Sequence, residues 1–344
     1  MTRRVSPQRA VARFDSGYLH IAGFGIGVCV VFVCAIASLS WGAASISPAT
    51  TIDALLHFDP TLREHLIIRT VRLPRVLLGA AVGAALAVAG GIMQGLTRNP
   101  LASPGILGVN AGASLAVVLT TLWVGGLSPS IAAGVASLGA GISAIAVYTI
   151  ASLGNRGITP IKLTLAGAMV AALLSAAVSG MLVVNQRTLD DIRFWLAGSL
   201  VGQDLQTIVQ SLVGIGVGLT FALALGKAIT VLSLGDDLAR SLGQATGRVK
   251  GMALLAVALL AGSAVSVAGP IGFVGLVVPN AVRLFIKVDY RWILAYSALF
   301  GASLLLLADM AARMLVPSGE LPVGTIVALL GAPFFIYLVR WKVQ

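Results

Sequence analysis

Residues 99–155 read NPLASPGILGVNAGASLAVVLTTLWVGGLSPSIAAGVASLGAGISAIAVYTIASLGN, a run of 57 residues without an Asp, Glu, Lys or Arg. A helix needs about 20 apolar residues to cross a bilayer. The run is therefore long enough for two crossings, and Gly125-Gly126 marks the turn between them. Working outward, the same count finds one span in 16–52, one in 76–97, and one each in 163–186 and 205–226. Residues 251–282 hold a full span and a shorter one, broken at Gly269-Pro270, and 292–308 and 321–339 hold one each. The expectation is an all-α integral membrane protein with about ten transmembrane helices, the eighth being the shortest.

Composition agrees. Of 344 residues, 58% are hydrophobic and 10% charged, against roughly 25% charged in a soluble domain. Mean hydropathy is +0.99. A soluble globule, a disordered chain and a nucleic-acid binder are excluded. The net charge of +11 does not revive the last, because the basic residues are dispersed between apolar runs. Arg3, Arg4, Arg9 and Arg13 precede the first run in the manner of a signal peptide, but its apolar part far exceeds the ~7–15 residues of such a segment. The reading is a cytoplasmic tail (1–18) and a single transmembrane domain (19–344).

Lys and Arg set the orientation. With the N-terminus inside, 16 basic residues face the cytoplasm and 7 face out (Arg63, Arg69, Arg72, Arg75, Arg187, Arg193 and Arg313), so both termini are placed inside. Gly23/Gly27, Gly79/Gly83, Gly91/Gly95, Gly108/Gly112 and Gly214/Gly218 are GxxxG pairs, read as close intramolecular helix packing. Residues 87–100 (AVAGGIMQGLTRNP) and 266–279 (SVAGPIGFVGLVVP) share five positions at an offset of 179, which suits an inverted repeat.

Catalytic chemistry is absent from the sequence. Cys29 and Cys34 read as small apolar residues, and His20, His57 and His65 have no ligand spacing. The nearest string to a phosphate-binding loop, Gly226-Lys227-Ala228, has Phe221 in place of its first glycine and alanine in place of Ser or Thr. Any ATP used is hydrolysed by another chain. No intramembrane carboxylate is placed to couple transport to protons or sodium, which weighs against a secondary transporter. A membrane-embedded enzyme lacks an acid, base or nucleophile set.

Several polar segments stand out. Arg72-Leu73-Pro74-Arg75 opens span two on the outer face; its arginines serve either as lipid-phosphate anchors or as bidentate partners for the carboxylates of an outer protein. Asp309 and Arg313 are spaced as an i,i+4 ion pair near the outer end of span nine, and Glu320-Leu321-Pro322 opens the last span. Leu234-Gly235-Asp236-Asp237-Leu238-Ala239-Arg240-Ser241-Leu242-Gly243 reads as a short capped cytoplasmic helix with a Leu238/Leu242 stripe for a groove in a partner. Gly269 to Pro279 is interrupted helix at membrane depth, tolerated only where protein or a water-filled cavity covers it. Asn99 to Asn110 is a tight turn, and Leu189 to Gly198 an outer amphipathic helix with Trp195 at the interface.

RLPR (72–75), RNPLASPGILGVNAGAS (98–114), RFWLAGSL (193–200), LGDDLARSLG (234–243), GPIGFVGLVVP (269–279) and ELPVG…LLGAPFF (320–335) occur in this order. Together they resemble the FecCD-type permeases, membrane subunits of type II ABC importers for ferric siderophores, haem and cobalamin, over nearly the whole chain from Ser47. The resemblance implies a multi-pass permease of the cytoplasmic (inner) membrane, paired with a second permease, identical or paralogous. Two ATPases and an outer substrate-binding protein complete the importer. No cofactor is implied for this chain; ATP and Mg belong to the partner ATPase. Arg72, Arg75 and Arg313 match positions that receive glutamates of the binding protein. Residues 235–243 (Gly235, Asp236, Asp237, Leu238, Ala239, Arg240, Leu242 and Gly243) match the coupling helices seated on the ATPases. Gly157, Ile158, Thr159, Pro160 and Ile161 match the inner gate region, and span five with Asn185–Gly198 the walls of the path. Asn280 departs from the family's usual histidine. The strings around Asn110 and Trp195 look closest to ferric catecholate and dicitrate members, so the expected cargo is a ferric siderophore.

Overall fold

The structure, a computed structural model, describes residues 16–42, 45–154, 158–286, 288–316 and 321–342. Among these there is no strand. In chain order the helices are α1 (Ser16–Ser40), α2 (Pro48–Leu56), α3 (Arg63–Leu66), α4 (Leu73–Thr97), α5 (Val109–Val124), α6 (Pro129–Ser152), α7 (Pro160–Val184), α8 (Gln186–Leu196), α9 (Leu205–Ala224), α10 (Gly226–Ser233), α11 (Asp236–Ser241), α12 (Thr246–Ala268), α13 (Val274–Val282), α14 (Tyr290–Leu315) and α15 (Val323–Lys342). A π-helical turn, Ile67–Arg72, joins α3 to α4, and a 3₁₀ turn, Pro104–Leu107, precedes α5.

Seven helices are long and apolar enough to cross a membrane; Val109–Val124 and Val323–Tyr337 are shorter apolar helices. Each expected crossing coincides with one of these nine or with the nine-residue α13. Four elements escaped the sequence reading: α2, α3, the π turn and α10. For α2 a signal existed, since Ser47 caps the helix by accepting from Thr50 N and Pro48 takes its first position.

The core is organised on α4. Its apolar stretch is the most enclosed of the long helices, 83% buried, and it packs on α14, α12, α13 and α9. Small residues make this possible. A Cβ on Gly83 would collide with the Gly301 carbonyl, and one on Gly301 with the Gly83 carbonyl, so α4 and α14 touch backbone to backbone. The GxxxG pairs all meet side chains or backbone of this same chain.

The expected break is present. α12 ends at Gly269, the chain is non-helical from Gly269 to Phe273, and α13 restarts with Pro279 inside it. Phe273 lies at φ 63°, a left-handed conformation unusual for an aromatic residue. Pro279 has no N–H to give the carbonyl four residues earlier, which is that of Gly275. Gln94 of α4, 1% exposed, supplies the missing donor: its Nε2 lies 3.3 Å from the carbonyl oxygens of both Gly275 and Leu276. Asn280 Nδ2 donates to Pro100 O at 2.7 Å and to Leu276 O at 2.8 Å, tying α13 to the 99–104 turn. That turn is closed by Leu101 N donating to Asn99 Oδ1 at 2.9 Å. The two similar strings differ in backbone: residues 87–97 stay inside α4, while 269–273 leave the helix.

Replacing Gln94 by Leu keeps the volume but leaves these carbonyls without their side-chain donor. The expected cost is about 1–3 kcal/mol, read as earlier thermal unfolding in detergent. An unchanged transition would show that the carbonyls find another donor.

Candidate functional site

Polar chemistry collects at the two ends of α4. Arg72 and Arg98 flank it, 26 residues apart in sequence, which at 1.5 Å per residue is about 39 Å, the depth of a bilayer.

At the first end the structure gathers Arg72, Arg75 and Arg313 around one carboxylate and one helix terminus. Arg75 grips Asp309 with Nε and Nη2, at 2.9 and 2.7 Å from Oδ1. Arg313 Nε lies 3.1 Å from Asp309 Oδ2, as the i,i+4 spacing predicts. Arg72 Nη1 donates to Leu39 O at 2.6 Å and Ser40 O at 2.9 Å. Arg313 adds Ser38 O at 3.0 Å, Ser38 Oγ at 2.7 Å and Trp41 O at 3.1 Å. The last carbonyls of a helix have no partner within it, and the negative end of its dipole attracts cations. The two arginines thus cap α1.

Three expectations change here. Asp309 is 2% exposed, so the pair is not a surface ion pair. Nor are the spans free of buried charge, although this group lies near the helix ends rather than at mid-membrane. Arg72 is buried rather than standing at the membrane surface. The π turn just before α4 shifts the helix phase that aims these side chains. Among the described residues, three guanidiniums gather around the Asp309 carboxylate and the end of α1. Arg63, Arg69, Arg187 and Arg193 are exposed nearby or on α8, and Arg69 lies over the Phe58 ring at 4.7 Å.

At the opposite end, α11 forms as expected. Gly235 (φ 126°) starts it and Gly243 (φ 79°) ends it. Gln244 N donates to Ala239 O and Gly243 N to Arg240 O, both at 2.9 Å, the paired bonds of a Schellman stop. Ala239 is fully buried, while Leu234, Leu238 and Leu242 are about half exposed or more. Leu234 ends α10 and lies before the Gly235 break, so it is not part of the Leu238/Leu242 stripe. Asp237 pairs with Arg240 at 3.8 Å. Asp236 turns inward to Lys250 Nζ of α12 and lies 3.8 Å from Arg98 Nη2. Lys250 Nζ also donates to Ile158 O at 3.1 Å. Arg98 ends α4 in the left-handed region at φ 53°.

The 158–161 segment lies beside this group; Gly157 falls outside the described residues. Thr159 caps α7 by accepting from Lys162 N at 3.3 Å, Pro160 takes the first helical position, and Ile161 is exposed. Lys162 Nζ donates to Leu153 O at 2.8 Å. Nearby, Asp289 caps α14, and hydrogen bonding from Arg291 holds its carboxyl below the usual carboxylate range.

Between the ends, α7 has little cover: only 11% of its apolar stretch is buried. A recess of about 340 Å³ between α5 and α7 presents Asn110, Ser114, Ser175 and Ser179, with Leu196 and Pro270 at its wall. Trp195 departs from the expected interfacial role, since its carbonyl packs on Gly269 and its Nε1 is buried without a protein partner. Among the described residues no group of three His, Cys, Asp or Glu is placed to hold a metal ion.

Asp309→Asn leaves the partly buried Arg75 and Arg313 without their counter-ion. The expected loss is about 3 kcal/mol, measured as a lowered unfolding midpoint in detergent, and Asp309→Glu should recover part of it. At the other end, Gly235→Ala forces a side chain onto φ 126°. It should destabilise α11 by about 1 kcal/mol or more, seen as faster amide exchange over 235–243, with Gly247→Ala as an exposed control.

Comparison with known proteins now bears on this arrangement. The chain is 44% identical to the iron(3+)-hydroxamate import system permease protein FhuB of Bacillus subtilis over 317 residues, 91% of this chain and 82% of that one. It is 43% identical to the Fe(3+)-citrate import system permease protein YfmD of the same organism, over 92% of this chain and 91% of that one. A solved inward-facing structure of a metal-chelate type ABC transporter superposes with a TM-score of 0.81 at 29% identity, covering 92% of this chain and 98% of that one. Residues 30–341 match the model of the FecCD transport family, and a multi-pass helical bundle with its charged chemistry at two opposite ends, carrying that match along nearly its whole length, belongs to the FecCD transport family.

Proposed function

We propose that this chain is the permease subunit of an ATP-driven importer that carries a ferric siderophore complex from an outer binding protein into the cytoplasm. The observation that carries the reading is the exposed Leu238/Leu242 pair on a rigidly capped helix. A cluster of three arginines lies at the opposite end of α4. One end suits a groove in a cytosolic ATPase. The other suits the carboxylates of a binding protein. The relatives named for iron(3+)-hydroxamate and Fe(3+)-citrate import support an iron chelate as cargo.

In this reading the seven long helices, α5, α13 and α15 make ten crossings, with both termini in the cytoplasm. A second permease, identical or paralogous, covers α7, and the path runs between the two copies past α7, α8 and the Asn110–Ser114 recess. Serine and asparagine there bind an iron chelate weakly enough to release it. The 158–161 segment forms the inner gate. Two ATPases bind α11 and hydrolyse ATP with Mg. Their closure moves α11 as a rigid body, tilts the spans and alternates access.

Arg75 and Arg313 are engaged with Asp309 in the free chain, so docking adds carboxylates to a network already formed. Long-range attraction from the arginines of this face then governs the encounter, and it weakens as salt screens it. Arg75→Gln should slow binding-protein association at low salt and change it little at high salt, as followed by surface plasmon resonance on nanodiscs. The unfolding midpoint separates this from damage to the α4–α14 contact made by Arg75 and Asp309. Equal association at both salt concentrations would remove the docking role. Leu238→Asp should abolish co-purification of the ATPase; retained association and uptake would show that α11 is not the contact. For the whole reading, the assay is uptake of radiolabelled ferric siderophore into proteoliposomes holding both permeases and the ATPases. Uptake should require ATP and the binding protein. Uptake driven by an ion gradient without ATP would instead favour a secondary transporter.

A further inference from the structure

Lys250 is a buried cation whose partners lie outside its own helix. It lies in the second turn of α12 and is 6% exposed. A buried ammonium is costly unless every side of it is partnered. Its partners belong to two other elements: Asp236 Oδ2 on the first residue of α11, and Ile158 O, at 3.1 Å, in the segment between α6 and α7. Asp236 in turn lies 3.8 Å from Arg98, the residue that ends α4. A Met of similar volume at position 250 would fill the same space but leave Asp236 and Ile158 O without this donor, and removing one partner of a buried pair costs stability. What the lysine alone supplies is a single three-donor group that holds α11 and the 158–161 segment at once.

We propose that Lys250 is a positioning residue that transmits displacement of α11 to the 158–161 segment, so that the two move as one unit. The proposal rests on the reading of α11 as the ATPase contact and of 158–161 as the inner gate, and it adds the physical link between them. Asp236 keeps the link directional: with one oxygen toward Lys250 and the other toward Arg98, it ties the moving helix to the end of the most buried span. Because α11 is only six residues long and closed at both ends by glycines with positive φ, it can shift as a rigid piece without unwinding its neighbours.

The test uses the complete importer in proteoliposomes, with ferric siderophore, binding protein and ATPases. Lys250→Met should assemble and hydrolyse ATP at close to the normal rate, while cargo taken up per ATP falls about tenfold. Lys250→Arg, which keeps charge and donors, should recover part of that ratio. A fluorophore at Ile161→Cys, in a Cys29→Ser/Cys34→Ser background, should lose its ATP-dependent signal in Lys250→Met. A merely structural lysine would lower expression or stability and leave both readouts unchanged in the molecules that assemble; normal uptake per ATP with a normal signal overturns the proposal. Should Lys250→Met fail to assemble, labels at Leu242→Cys and Ile161→Cys on the otherwise unchanged importer decide it. They should respond to ATP with one shared rate constant, and unequal rates would overturn the link. If Leu238→Asp leaves ATPase binding intact, the underlying coupling reading fails. If Leu238→Asp abolishes binding while Lys250→Met transports normally, only this proposal fails.

Discussion

Inside a bilayer every backbone polar group has to find its partner within the protein, and this architecture depends on how that demand is met where helices end or break. The Gly269–Phe273 interruption and the proline in α13 free carbonyls at membrane depth. Gln94 and Asn280 answer them, one from the most buried span and one from the broken helix itself. Asn280 also holds Pro100 O, so one amide binds the break to the turn that follows α4. Asparagine can do this as a two-donor amide whatever the pH.

The same demand explains the outer end. α1 stops near the membrane surface, and its last carbonyls take hydrogen bonds from Arg72 and Arg313. Asp309 then compensates Arg75 and Arg313. The cluster proposed to meet a binding protein is thus also the cap of a helix and part of the α4–α14 contact. Binding chemistry and fold stability share residues here, so a charge reversal at Arg72 would report on both. The milder Arg75→Gln, read against salt, separates them.

The inner end repeats the pattern with the opposite emphasis. There the apolar leucines face outward and the charges turn inward to Asp236, Lys250 and Arg98. Exposed leucines on a helix with a fixed start and stop present a defined surface to a partner. Buried charges behind it fix how that surface is joined to the spans. A device of this kind needs only small rigid-body shifts at one interface to act at the other end of a packed bundle.

The crossings, the break at Gly269-Pro270, the short helix over 236–241 and the ends carrying the basic residues were legible in the sequence, because each follows from local chemistry. Apolar length decides insertion, proline and glycine decide where a helix stops, and Schellman geometry needs only one glycine in place. RLPR and LGDDLARSLG lie at opposite ends of α4. What only the tertiary structure decided is partnership. Arg75 meets Asp309 across 234 residues, Lys250 meets Ile158 across 92 and Asn280 meets Pro100 across 180. No periodicity encodes such pairs, because they depend on the phase and crossing of packed helices, including a π turn that rotates the start of α4. The sequence by itself therefore determined where this chain crosses the membrane and where it stops being helical. The packing alone decided which charges are buried and what each of them holds.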